Sequence, residues 1–115
     1  MPESATAQEK REYYRLRFPR AERPLLAIDQ QDCEVVDCSA RGLRYILTRL
    51  PSPAPGDWVE GLLRFRRHPH TPVRGLVVRS QNGEIALHLP DEEIPFAILR
   101  GEERYLLAHY RRWSK

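Results

Sequence analysis

Lysine is nearly missing from this chain, which has only Lys10 and Lys115, so almost every cation behind its net charge of +3 is arginine. An arginine presents a planar fork that pairs bidentately with phosphate or with the O6/N7 edge of guanine, and it stacks on flat rings. Nucleotides and nucleic acids are therefore a reasonable partner class, although a high arginine content also follows from genomic composition. Long apolar runs are missing too. None approaches the roughly 18 residues that a spanning helix requires, which excludes insertion into a membrane by a helix. The first ten residues are polar and carry no apolar stretch with a small-residue cleavage site, so a cytoplasmic location is expected.

Cysteine is scarce, with Cys33 and Cys38 alone. A chain of 115 residues that is 41% hydrophobic fits one domain and needs no disulfide staple, so free thiols are expected. There is no second pair to complete a zinc site, and five positions apart along a strand the two would fall on opposite faces. His68-Pro69-His70 offers two imidazoles but no third ligand at a recognisable spacing, which predicts surface histidines. A nucleophile elbow, a Gly-rich phosphate loop and a His-Glu-x-x-His helix are all absent. The sequence thus predicts a binding protein, not an enzyme, with no metal or other cofactor.

What the chain does have is a succession of short apolar segments from Leu25 onward, separated by turn residues. Leu26 and Ile28 alternate, then Cys33 and Val35, then Leu43, Tyr45 and Leu47. Residues 57–67 put Val59, Gly61, Leu63 and Phe65 on one face and Glu60, Arg64 and Arg66 on the other. Residues 73–79 follow, and Asn82-Gly83, a two-residue hairpin signal, leads to Ile85, Leu87 and Leu89. This spacing predicts six strands in an all-β barrel or sandwich. The period then changes, because Phe96, Leu99, Leu106, Tyr110 and Trp113 line one side of a helix. Asp91, Glu92 and Glu93 at its start suit the helix dipole, and Gly101 is a place where it could break. The expected division is a tail over 1–10, an arm over 11–23, a barrel over 24–90 and a helix over 94–113.

Two short patterns stand in order: Arg11-Glu12-Tyr13-Tyr14-Arg15 in the arm, and Asp37-Cys38-Ser39-Ala40-Arg41-Gly42 between the second and third strands. With them the sequence resembles the PilZ family, over roughly residues 9–112. In that family an Arg-x-x-x-Arg element and an Asp/Asn-x-Ser-x-x-Gly element bind cyclic di-GMP on a six-stranded antiparallel β-barrel, usually followed by a helix. The resemblance implies a mainly β fold of that kind, with a flexible N-terminal arm and a C-terminal helix. A second Arg-x-x-x-Arg at Arg100 and Arg104 falls on the predicted helix and reads as a solvated face.

The implied ligand has two phosphates and two guanines, and the implied site residues are Arg11, Arg15, Asp37, Ser39 and Gly42, with Arg41 as an addition at the rim. By the same resemblance Arg11 and Arg15 meet phosphate and guanine. Ionised Asp37 only accepts hydrogen bonds, which suits the N1-H and N2 donors of guanine. Ser39 can donate and accept beside it, and Gly42 permits a positive φ or a close backbone approach. Signalling would proceed by ordering of the arm, with an unidentified downstream protein as listener. Two other readings share these residues: a barrel that works as a protein adaptor independently of nucleotide, and a basic barrel for single-stranded nucleic acid. The modest net charge makes nucleic acid the less expected partner.

Overall fold

The computed structural model describes residues 15–49 and 51–110. Alternating apolar residues form the strands β2 (Leu25–Ile28), β3 (Gln31–Ser39), β4 (Gly42–Ile46), β5 (Trp58–Arg64), β6 (Thr71–Gln81) and β7 (Glu84–His88). They close through the antiparallel pairs β2–β3, β3–β4, β4–β7, β7–β6, β6–β5 and β5–β2, which is the expected six-stranded barrel. Closure leaves none of the six with an unpaired edge. Leu26, Val35, Tyr45, Leu63 and Ile85 fill the interior at 1% exposure or less. The two-residue turns Asp29-Gln30 and Asn82-Gly83 have φ of +46, +66, +54 and +78°, the left-handed geometry that matches the twist of a hairpin.

A seventh strand comes from the arm. β1 (Leu16–Arg17) pairs antiparallel with β3, Leu16 opposite Cys38 and Arg17 opposite Asp37. Leu16 and Phe18 are buried, and the Phe18 amide donates to the Val36 carbonyl at 3.1 Å. Two residues are too few to show a period, so the strand is invisible to pattern reading. A 3-10 turn (Arg20–Glu22) follows it, between Pro19 and Pro24. The expected tail, together with Arg11, Tyr13 and Tyr14, lies outside the described residues.

Two β-bulges change which face several residues occupy. On β3 the register moves from Val35 opposite Tyr45 to Asp37 opposite Arg44, and on β6 from Val77 opposite Leu87 to Arg79 opposite Ala86. Each bulge reverses the inside–outside alternation beyond it. Cys33 and Cys38, expected on opposite faces, are for that reason both buried in the core, as free thiols. Burial pushes both thiols above their ordinary pKa.

The helix α1 runs over Phe96–His109, beginning two residues after the expected 94, and continues through Gly101; positions 111–113 of the expected helix, Trp113 among them, lie outside the described residues. A Cβ on Gly101 would collide with the His68 ring, so this glycine makes room for the barrel loop instead of breaking the helix. Leu99 and Leu106 pack into the core while Phe96 is 43% exposed. Asp91, Glu92 and Glu93 precede the helix and are not in its first turn; Asp91 pairs with Arg74 and Glu93 with Arg41. Among the described residues no helix is long and apolar enough to cross a membrane.

A charged bridge ties this helix to the end of the arm. Glu102 on α1 is 1% exposed and accepts from the Arg67 amide at 3.3 Å and from His68 Nδ1 at 2.7 Å. The Arg67 guanidinium lies over the Tyr105 ring and reaches Glu22 in the 3-10 turn at 2.6 Å, where the Tyr110 hydroxyl also donates at 2.8 Å. Burial draws the Glu22 pKa upward, but the bonds from Arg67 and Tyr110 outweigh it and hold the carboxyl below its ordinary 4.5. A carboxyl whose pKa is lower folded than unfolded contributes fully above its unfolded value and loses that contribution as pH falls through the folded one. Glu22→Gln is expected to cost about 1 kcal/mol at neutral pH and to lose less than wild type on further acidification below 4.5. Thermal unfolding of both proteins from neutral to acid pH checks this.

Candidate ligand groove

The bulge on β3 decides where Asp37 points. Without it Asp37 would face Leu43 and the barrel interior; with it the carboxylate stands on the outer face, directly opposite Arg44. It is nonetheless 0% exposed, because two arginines close over it. Arg15 Nη1 donates to Oδ1 at 2.7 Å and Arg44 Nε donates to Oδ2 at 2.9 Å, with Arg44 Nη2 on the same oxygen. Withdrawing a carboxylate from water costs several kcal/mol unless it is paired and hydrogen-bonded. Three charge-assisted bonds meet that requirement here. The same bonds raise the pKa of Arg44, which therefore stays charged.

The turn below this cluster is held from outside. Ala40 and Arg41 form a two-residue connection between Ser39 and Gly42, which face each other across the hairpin, and neither has a positive φ. Their carbonyls instead accept from Ile94 at 2.8 Å and Leu89 at 2.9 Å. Ser39 is 3% exposed and its hydroxyl donates to the Gly42 carbonyl at 3.5 Å. Gly42 likewise has no positive φ; it is needed for close approach, since a Cβ there would sit 2.9 Å from the Leu87 carbonyl oxygen. Arg41 pairs with Glu93 at 2.8 Å. Of the residues that the sequence assigns to the site, Arg15, Asp37, Ser39, Arg41 and Gly42 come together, and Arg11 lies outside the described residues.

These residues border a groove of about 430 Å³ on the outside of the barrel, lined by Arg15, Ser39, Arg41, Gly42, Arg44 and Arg79 together with the β7 residues Ala86, Leu87 and His88. Among the described residues four arginines face it and no carboxylate is on its surface. A larger space of about 710 Å³ lies beside the Pro-rich loop of residues 51–56, but Asp29, Asp57 and Glu60 line it against Arg49 as the one cation among the described residues. An anionic ligand is favoured in the first and repelled from the second. Arg44, Arg79 and His88 were not singled out from the sequence. Arg44 carried a legible signal, being two residues beyond Gly42 on a strand; Arg79 carried none, because its direction depends on a bulge.

The Asp37 carboxylate that the sequence offers to guanine is fully engaged by Arg15 and Arg44. What reaches solvent is the arginines, with Arg15 and Arg44 side chains 43% and 31% exposed. Asp37 thus orients two guanidinium forks toward the groove.

A family model, the PilZ domain, matches residues 9–105. Among solved structures, the crystal structure of an uncharacterised Legionella protein superposes with a TM-score of 0.56 at 19% identity, covering 87% of this chain and 100% of that one. At that identity the likeness speaks for the fold. No curated protein matches the chain.

Either arginine alone keeps Asp37 paired, whereas losing both leaves a buried charge uncompensated. Arg15→Ala and Arg44→Ala are each expected to cost about 1 kcal/mol of stability, and the double variant about 3–5 kcal/mol. Adding Asp37→Ala to the double variant should recover part of that loss. Urea denaturation of wild type and these four variants measures the non-additivity.

Proposed function

Since the chain belongs to the PilZ domain family, we propose that it is a receptor for cyclic di-GMP that binds this ligand in the arginine groove. PilZ domains bind the second messenger or act as adaptors and are not enzymes; this reading needs no cofactor. The observation that carries it is the Arg15–Asp37–Arg44 cluster beside the bare backbone of Gly42, in a groove whose described lining has four arginines and no carboxylate. Such a surface suits a ligand that brings two negative charges and two flat purines. Guanidinium forks supply charge-assisted bonds to phosphate and bidentate ones to the guanine O6/N7 edge. Asp37 contributes by fixing the two forks, and it becomes an acceptor for guanine only where one of them swings away.

The signal is ordering of the arm. Arg15 stands immediately before β1, so a ligand that grips Arg15, and Arg11 ahead of it, ties the arm to β3. The 3-10 turn continues from β1 to Glu22, and Glu22 reaches Arg67, which also contacts Glu102 on α1 at 3.6 Å. A change in how firmly the arm is held therefore has a physical route to the helix. The exposed Phe96 and Leu107, 43% and 44% exposed, give that helix an apolar surface for a downstream protein. The same surface favours a second reading, an adaptor that binds its partner whether or not nucleotide is present.

Isothermal titration of the purified protein with cyclic di-GMP tests the first reading. Saturable binding is expected, weakened about tenfold or more by Arg15→Ala, as befits the loss of a bidentate contact of about 1–3 kcal/mol. Asp37→Ala should weaken it comparably, while Arg104→Ala, on the solvated helix face, should leave affinity unchanged. A folded protein that binds no cyclic di-GMP at high micromolar concentration would overturn the reading.

A further inference from the structure

Three of the four arginines in the groove are already paired with carboxylates. Arg15 and Arg44 hold Asp37, Arg44 also meets Glu84 at 3.1 Å, and Arg41 meets Glu93. Arg79 is exposed and has no carboxylate partner among the described residues. It is also the arginine whose direction the fold goes furthest to set. Without the β6 bulge, position 79 would face Ile85 and point into the barrel; the bulge sets Arg79 opposite Ala86 and turns it outward.

Ala86 is at the same time the partner of Arg44 on the other side of β7. Arg44, Ala86 and Arg79 thus form one row across β4, β7 and β6, with two guanidinium side chains flanking a methyl group. Their backbones are two strand spacings apart, about 10 Å. The small side chain between them leaves the groove floor flat, and Gly42, opposite His88 in the next row, extends that floor toward Arg15. A ligand with a single anionic group would engage one wall only. One with two anionic groups on a rigid ring can bridge both.

We infer that Arg79 is a second anion-binding residue of the groove, contacting the phosphate of the cyclic dinucleotide that lies farthest from Arg15. The inference rests on the receptor reading above. It adds a binding residue outside both sequence motifs, on a strand that neither motif touches. Because Arg79 has no carboxylate partner to lose among the described residues, its removal should affect the ligand without affecting the fold.

The test is titration of wild type, Arg79→Ala and Arg79→Lys with cyclic di-GMP over a series of salt concentrations, with thermal unfolding of each. Arg79→Ala is expected to bind about tenfold more weakly, with a shallower salt dependence because one phosphate contact is gone. Arg79→Lys should restore part of the affinity and all of the salt slope, and the three unfolding midpoints should coincide. In the phosphorus NMR spectrum of the bound ligand, Arg79→Ala should move one phosphate resonance more than the other. If wild type binds, Arg15→Ala loses affinity and Arg79→Ala stays within twofold of wild type with an unchanged slope, the inference is wrong and the receptor reading stands. If wild type itself does not bind, both fall together.

Discussion

The contact on which the site depends is the Asp37 carboxylate held between Arg15 and Arg44. A fully buried carboxylate on the outside of a barrel is an expensive feature, tolerable only while it is paired. Its cost is what gives the cluster structural force: Arg15 must come down onto β3, and the residues after it follow as β1. Arg44 is pinned across the hairpin at the same time. The carboxylate thus fixes the end of the arm and one wall of the groove.

Both walls of that groove are made by interrupting a strand. The β3 bulge turns Asp37 out of the barrel, and the β6 bulge does the same for Arg79. In a closed barrel with strict alternation, the charged groups would fall on the interior at these positions and the fold could not accept them. Each bulge instead leaves the apolar residues on its near side facing inward, Val35 and Val77, and delivers a charged one to the outer face just beyond. Irregular pairing here is the device by which one barrel serves both a core and an arginine-lined groove. The larger space beside the Pro-rich loop, with its excess of carboxylates, shows how different the charge environment is elsewhere on the same barrel.

The helix completes the arrangement from the far side of the arm. Its buried Glu102 is satisfied by Arg67 and His68 from the β5–β6 connection, and Arg67 extends to Glu22. Gly101 is small because the His68 ring lies against it. The helix, the loop and the 3-10 turn of the arm therefore share one set of charges.

The strand alternation, the Asn82-Gly83 hairpin and the helical period at the end of the chain are local properties, so the sequence alone determined the barrel and its helix. Through its resemblance to the PilZ family the sequence also implied that Arg15, Asp37, Ser39 and Gly42 would meet, since the two motifs that carry them are both legible in it. It could not determine β1, which is too short for a period and exists through its pairing with β3. Nor could it place Cys38 in the core, aim Arg79 outward, or show that Asp37 spends its oxygens on two arginines. Those outcomes follow from two bulges and from the register between strands distant in sequence. A bulge shifts every side chain beyond it by one face, and nothing in the local pattern of residues records that shift.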